Sequence, residues 1–338
     1  MIIQDREIPR IILKLQALLR RLPLNHPKIQ VLVDELNRRS AGYKGEEALD
    51  YPLSLLDPKD YLIFHGLRLQ INNNFFQIDT LVISKHYILF IEVKNLAGSI
   101  YFDPVFSQLI QMKDDQKLAF PDPQIQQQRQ EMQFKKWLEQ NGFSPIPILS
   151  LVVISNDKTI INTSANNNNL NSKVLHRYLL PMQIHKYEES HPYENYNDKE
   201  IKKLIRLLKK KHVMADHSIL ERFNLSPREI RQGVICETCN HSPLVREHGS
   251  WFCIKCKNKN TNGHIQALID YQLLINSTIT NVEARRFLNI ESRYVAKRLL
   301  KSLNLPTTGT KKATTYDLTH LTKQNPQTKP IKKPATNK

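Results

Sequence analysis

Three ionisable side chains in the first third of the chain stand where such groups are costly. Asp79 lies in the segment QIDTLVIS, and Glu92 and Lys94 lie in FIEVKN. Both segments are short, apolar and rich in β-branched and aromatic residues, which is the composition of strands. Side chains two apart on a strand share a face. Glu92 and Lys94 therefore stand together, while Ile91 and Val93 face the opposite way. A carboxylate and an ammonium on an otherwise apolar strand are expensive to bury unpaired. A metal site accounts for them: Asp79 and Glu92 would bind Mg2+ (or Mn2+) through oxygen ligands. Lys94 would orient or help deprotonate an attacking water, or stabilise charge building on a phosphorane-like transition state. A plain salt bridge at a strand end is the alternative reading, and a Glu-Val-Lys tripeptide taken alone is weak evidence against it.

A second chemical signal lies in the cysteines. The chain has four, Cys236, Cys239, Cys253 and Cys256, arranged as two Cys-x-x-Cys pairs. This spacing is that of four thiolates around a tetrahedral, structural Zn2+, with the intervening segment forming a hairpin as in a zinc ribbon. A redox pair is the weaker alternative. His241, His248 and His264 lie nearby and are expected at the surface or on phosphate, not on the metal. Trp251 and Phe252 are expected to pack the hairpin, base stacking being the alternative.

The third signal is charge. Residues 1–200 hold 23 Lys/Arg against 23 Asp/Glu, and residues 201–338 hold 26 against 9, so the second part carries the whole +17. Lys and Arg gain affinity for a polyanion by releasing its counterions, so the basic part points to nucleic acid, most simply DNA. Within it, Thr280 and Ser292 read as helix N-caps. Arg293, Lys297 and Lys301 fall at helical spacing on one face of 292–303, and Lys311 and Lys312 sit at the tip of a candidate β-wing over 307–318. The pattern resembles a helix-turn-helix with 292–303 as recognition helix. An ordinary three-helix interaction domain with a solvated basic face is the alternative. A weaker helix-turn-helix look attaches to 218–233.

The elements that must position these residues follow from periodicity. Residues 7–22 and 27–39 read as helices, and 42–56 as a glycine-led turn into a short helix. Runs at 61–69, 75–84 and 87–95 read as strands, continued by 99–102 and 107–112. Pro121 and Pro123 open a glutamine-rich helix over 124–142, and 146–155 is a buried strand. Residues 162–172 read as a polar loop, 188–198 as a linker and 201–211 as a basic amphipathic helix. The division expected is N-terminal helices at 1–39, an α/β domain at 40–185, a linker with basic helices at 186–233, the cysteine module at 234–260, the helical domain at 261–320 and a disordered basic tail at 321–338. No run reaches the length of a membrane span, and the N-terminus lacks a secretory pattern. A cytoplasmic protein with no membrane partner is therefore expected.

The order GYKGEE, QIDTLVIS, FIEVKN and then a glutamine-rich helix behind Pro123 resembles the nuclease-related domain, a family of the PD-(D/E)xK nuclease superfamily. The resemblance covers roughly residues 40–156 and is carried by Gly42, Gly45 and Glu46, by Asp79, by Glu92-Val93-Lys94, and by Pro123 with Gln126. It implies an α/β restriction-endonuclease-like core, a mixed sheet flanked by helices, with one or two Mg2+ ions held by acidic residues. On that mapping Glu46 is a helix-borne acid, Asp79 and Glu92 are metal ligands, Lys94 is the catalytic lysine, and Gln126 lines the site. The function implied is a metal-dependent nuclease; a catalytically inactive platform and a sequence-specific regulator are the competing classes.

Overall fold

The structure is a computed structural model that describes residues 1–164, 167 and 170–324, with the side chains of 312 and 322–324 excepted. Strand β1 (Ile2–Gln4) precedes helices α1 (Arg10–Arg21), α2 (Ile29–Glu47) and α3 (Asp50–Ser54). Strands β2 (Leu62–Ile71), β3 (Asn74–Ile83), β4 (Ile88–Lys94), β5 (Ser99–Asp103), β6 (Gln108–Lys113) and β7 (Gln116–Pro121) follow, then α4 (Pro123–Gln140). Next come β8 (Ile148–Ile154), β9 (Ile160–Thr163), α5 (Leu170–Lys173), β10 (Val174–His176), α6 (Leu180–Ser190) and α7 (Asp198–Lys211). The remainder comprises α8 (Ile219–Arg222), β11 (Val245–Glu247), β12 (Ser250–Phe252), β13 (Lys259–Asn260), α9 (Gly263–Leu274), β14 (Thr278–Thr280), α10 (Asn281–Leu288), α11 (Arg293–Ser302), β15 (Thr307–Thr308), β16 (Thr315–Asp317) and α12 (Thr319–Gln324).

The chain divides into two compact units: residues 1–8 with 38–215, and residues 9–37 with 216–338. In the first unit a six-stranded mixed sheet runs in the order β1-β2-β3-β4-β8-β10. The β2-β3-β4 meander is antiparallel, whereas β8 joins β4 in parallel after the α4 crossover. Phe134, Trp137 and Leu138 of α4 and Ile201, Leu204 and Leu208 of α7 cover one face. Leu53 of α3 and Leu180 and Ile184 of α6 cover the other. Burial on both faces explains why β4 and β8 read as continuous apolar runs rather than as alternating ones.

Several expectations change here. Strands β5 and β6 do not extend the central sheet; with β7 and β9 they form a second, four-stranded sheet. The segment 188–198 is not a linker: it closes α6, buries Tyr196, and hydrogen-bonds the backbone of Asn195 and Tyr196 to Lys85 O. Helix α7 keeps its basic outer face, but its apolar stripe is core of this unit. The glycine-led turn at 42–56 is instead the last turns of α2, followed by α3.

In the second unit the apolar core draws on α1, the start of α2, the cysteine module and α9–α12. A buried ion pair fastens it: Arg21 and Asp270, each 1 % exposed, meet at 2.8 Å, and Arg21 Nη1 also donates to Gly233 O at 2.6 Å. The second helix-turn-helix look at 218–233 is not realised, since α8 is four residues long and only a 3-10 turn follows. At the helical end, β14, β16 and β15 form a small antiparallel sheet beside α10 and α11. Thr280 and Ser292 do cap those helices, and Asn289 in the left-handed region makes the turn between them. The tail beyond residue 324 lies outside the described residues.

Candidate active site and cysteine centre

Strand β4 delivers Glu92 and Lys94 near its C-terminal end. Ile88 and Phe90 point to the α4 side of the sheet, so the period of two places Glu92 there as well. Glu92 is 4 % exposed and each of its oxygens has one partner: Lys94 Nζ donates to Oε1 at 2.6 Å, and Gln126 Nε2 donates to Oε2 at 2.8 Å. Charge-assisted bonds of this length offset much of the cost of burial.

Asp79 arrives from β3. The β3–β4 pairing ends at Thr80↔Ile91, so Asp79 would come opposite Glu92 in the next register position. The ladder stops there, and the Asp79 carboxylate replaces it: Val93 N–H donates to Asp79 Oδ2 at 3.1 Å. Opposite, β2 carries Gly66 at φ +62°, a conformation that a side chain strains against. The irregularity reverses which residues face α4, from Phe76 and Ile78 before it to Leu81 and Ile83 after it.

Glu46 is presented by the last turn of α2. That helix end approaches β4 closely: a Cβ on Gly45 would lie 2.5 Å from Asn95 Cβ and 2.9 Å from Ser155 Oγ. Only glycine permits that contact, which Asn95 Nδ2 fastens by donating to Ala41 O at 2.7 Å. The neighbouring Glu47 is exposed.

The three acids sense one another. Burial raises the pKa of Asp79 well above its ordinary 3.8, and the charges of Glu92 and Glu46 raise it further. Burial likewise raises Glu46; the Arg6 guanidinium opposes this and Glu92 adds to it. Their oxygens are crowded but not gathered: among the described residues, only the cysteine quartet brings three or more ligand atoms within 4.8 Å of one another. Each carboxylate oxygen has two lone pairs, so the hydrogen bonds on Glu92 and Asp79 leave acceptor capacity for a hard cation. The oxygen donors and their mutual repulsion fit such an ion.

Helix α4 resolves which glutamine serves the site. Asp122 caps it by accepting from Gln124 N at 2.8 Å, and Pro123 occupies its first turn. Gln126 then reaches Glu92, while Gln127 and Gln130 turn under the helix and donate to Leu151 O and Gln77 O, each at 2.6 Å.

Sequence reasoning missed Arg6. From the segment after β1 it donates to Glu46 Oε2 at 3.1 Å and Asp50 Oδ1 at 3.0 Å, and approaches His65 Nδ1 at 2.8 Å. Burial, then the Arg6 charge, lowers the His65 pKa to about 4, so the imidazole is neutral and accepts from the guanidinium. Arg6 is 59 residues from His65, the strand residue it meets, and no local spacing signals the pairing.

In the second unit the cysteine sulfurs converge. Cys236 and Cys256 Sγ atoms lie 3.5 Å apart, as do those of Cys239 and Cys253, and all four are free thiols. A tetrahedral Zn2+ with bonds of about 2.3 Å sets its sulfurs roughly 3.8 Å apart, so the quartet fits. The backbone N–H of Cys256 donates to Cys253 and lowers its pKa to about 6, while the Cys256 thiol, despite a backbone bond from Asn258, is pushed up to about 12 by burial and the neighbouring thiols. Strands β11, β12 and β13 form the three-stranded ribbon above the knuckles. Trp251 is fully buried, so it packs and does not stack on a base. His264, expected at the surface, is also buried, with burial lowering its pKa to about 4. His248 is exposed in the β11–β12 turn.

Arg293, Lys297 and Lys301 are exposed along α11, joined by Tyr294 and Arg298. The hairpin β15–β16 carries Lys311 and Lys312 in its connection; Lys311 is exposed, and the Lys312 side chain lies outside the described residues. No helix among the described residues is long and apolar enough to cross a membrane.

Residues 41–155 match the family model described as nuclease-related domain. No curated protein and no solved structure matches the chain.

Proposed function

We propose that the nuclease-related domain at residues 41–155 is the catalytic part of a metal-dependent nuclease that hydrolyses phosphodiester bonds in DNA. The observation that carries this reading is the convergence of Asp79, Glu92, Lys94 and Gln126 at one end of β4, with Glu46 and Arg6 alongside. The mixed sheet flanked by helices is compatible with a restriction-endonuclease-like core. Asp79 and Glu92 would hold Mg2+ or Mn2+. That ion would offset the crowded carboxylates and supply positive charge for a phosphate oxygen. Lys94, fixed by Glu92, would orient the attacking water or stabilise the developing charge. Gln126 would hold the second Glu92 oxygen, and Arg6 would keep the Glu46 carboxylate in place. The cysteine quartet would bind one structural Zn2+. The second unit, with 25 Lys/Arg against 11 Asp/Glu and therefore a balance of +14, would grip the nucleic acid through α11 and the β15–β16 hairpin in the manner of a winged helix-turn-helix.

A non-catalytic platform is the second reading. It is favoured by the engagement of both Glu92 oxygens and by the Arg6–Glu46 ion pair. The test is full-length protein with Mg2+ or Mn2+ on plasmid and single-stranded DNA, beside Lys94→Ala and Glu92→Gln. Cleavage by the wild type that both substitutions abolish supports the nuclease. Equal DNA binding by all three proteins with no cleavage by any establishes the platform.

A further inference from the structure

Helix α7 of the first unit is basic on one face only. Its apolar stripe, Ile201, Leu204 and Leu208, is buried in the core, while Lys202, Arg206, Lys209 and Lys210 are exposed on the other side. The first unit holds 24 Lys/Arg against 21 Asp/Glu. Residues 201–211 supply six of those cations and no acid, so the rest of the unit stands at 18 against 21. Its whole positive surplus thus lies on this one helix. Among the described residues no ion pair involves the four exposed cations. The helix dipole accounts for cations in the last turn, but not for Lys202 and Arg206 further up. Lys202, Arg206 and Lys210 follow at intervals of four, and like charges so spaced destabilise a helix by themselves. The helix also leads toward the candidate site. It begins by the β3–β4 turn, where Lys85 pairs with Asp198 at 3.0 Å. It ends at β2, where His212 Nδ1 accepts from Arg68 N at 3.2 Å and Val213 N donates to Arg68 O at 3.0 Å. Arg68 lies two residues beyond Gly66, the residue opposite Asp79. Glu92 is turned to the same side of the sheet as α7, and β2 and β4 are two strands, roughly 10 Å, apart.

We infer that the exposed face of α7 is a phosphate track, which carries a nucleic-acid strand along the first unit to the candidate site at the end of β4. Steps of four residues set the cations roughly 6 Å apart along the helix axis, so several phosphates of one strand are met in succession. The Arg206 guanidinium can take two oxygens of one phosphate, and the lysines act as point charges beside it. Burial of the apolar stripe excludes two other occupants of a basic amphipathic helix. A membrane takes up such a helix through its apolar face, and so does the hydrophobic groove of a partner protein. What α7 offers instead is positive charge on a rigid rod, which fits a polyanion. The track rests on the reading of the chain as acting on nucleic acid and deepens it. It gives the first unit a grip of its own, separate from α11 and the β15–β16 hairpin.

The test is fluorescence anisotropy of the full-length protein with a labelled DNA duplex and a labelled single strand, over roughly 50 to 200 mM salt. A triple variant, Arg206→Gln with Lys209→Gln and Lys210→Gln, should weaken binding about tenfold or more. It should also reduce the slope of log affinity against log salt by about two to three. The charge-preserving triple, Arg206→Lys with Lys209→Arg and Lys210→Arg, should retain most of both. A second measurement needs no variant: bound DNA should protect Lys209 and Lys210 of the wild type from amine acylation, read by mass spectrometry. Wild-type binding that the glutamine variant keeps with the same salt slope, or lysines acylated equally with and without bound DNA, overturns the track and leaves the nucleic-acid reading intact. Absence of wild-type binding to either DNA sinks both. Binding to phosphatidylserine vesicles that the glutamine variant loses while its DNA binding is unchanged assigns the face to an anionic membrane surface and likewise overturns the proposal.

Discussion

Replacing Asp79 with Asn separates the charge of the candidate site from its shape. The amide oxygen can still accept from Val93 N–H, the bond that ends the β3–β4 ladder, so the local backbone keeps its partner. What disappears is one of three mutually repelling carboxylates. The sign follows from linkage. A carboxylate whose folded pKa is raised contributes stability that is present below its unfolded value, near 3.8, and lost as pH rises through the folded one. At neutral pH and without divalent metal, Asp79→Asn should therefore melt above the wild type, and the gap should widen as pH rises through the folded pKa. A bound cation should reverse the order. At a hundred times its dissociation constant a ligand stabilises by about 2.7 kcal/mol. One kcal/mol moves the midpoint by about 2–4 °C in a unit of this size, so Mg2+ or Mn2+ should raise the wild-type Tm by roughly 5–11 °C. Asp79→Asn should lose most of that rise. Differential scanning fluorimetry across pH, with and without metal, reads all of it. A wild-type Tm indifferent to both ions, together with an Asp79→Asn protein less stable than wild type in their absence, would refute the reasoning.

Other perturbations probe the frame. Arg21→Ala strips the partner from Asp270 Oδ2 and leaves Arg20 as that buried carboxylate's remaining cation, and should destabilise the second unit by about 1.5–3 kcal/mol in urea unfolding. Gly45→Ala forces α2 away from Asn95 and Ser155; overpacking of this kind costs about 1–3 kcal/mol, and displacement of Glu46 should weaken divalent-cation binding in isothermal titration. Removal of zinc by a chelator should unfold the ribbon and expose Trp251, read as a red shift of its fluorescence, with the metal measured beforehand at about one per chain. Gln127→Leu deletes the buried bond to Leu151 O and should cost about 0.5–1.5 kcal/mol in urea unfolding.

How much of this was legible beforehand depends on whether the signal was local. Strands β2 to β4, the Pro123-led α4, the caps at Thr280 and Ser292 and the cysteine knuckles all follow from short-range periodicity, capping chemistry and ligand spacing, and the structure places them within a few residues of expectation. The pairing of Glu92 with Lys94 was likewise readable, because a strand's period of two leaves the chain no choice. Gln126 was named only through the resemblance, because several glutamines share that helix and its contact with the sheet is what selects among them. Arg6 was invisible for the same reason: its partners Glu46, Asp50 and His65 lie 40 residues or more away. Residues 201–211 read as a basic amphipathic helix in a linker region, yet Leu204 and Leu208 are core, so cutting the chain at residue 201 would open the first unit. Nor does sequence order mark the units, because residues 9–37 fold with the far end of the chain through Arg21 and Asp270. Local chemistry thus determines elements, caps and ligand spacing, whose energies depend on neighbours a few residues away. Convergence of distant groups is decided by burial of apolar faces against one another, which depends on the whole chain packing at once.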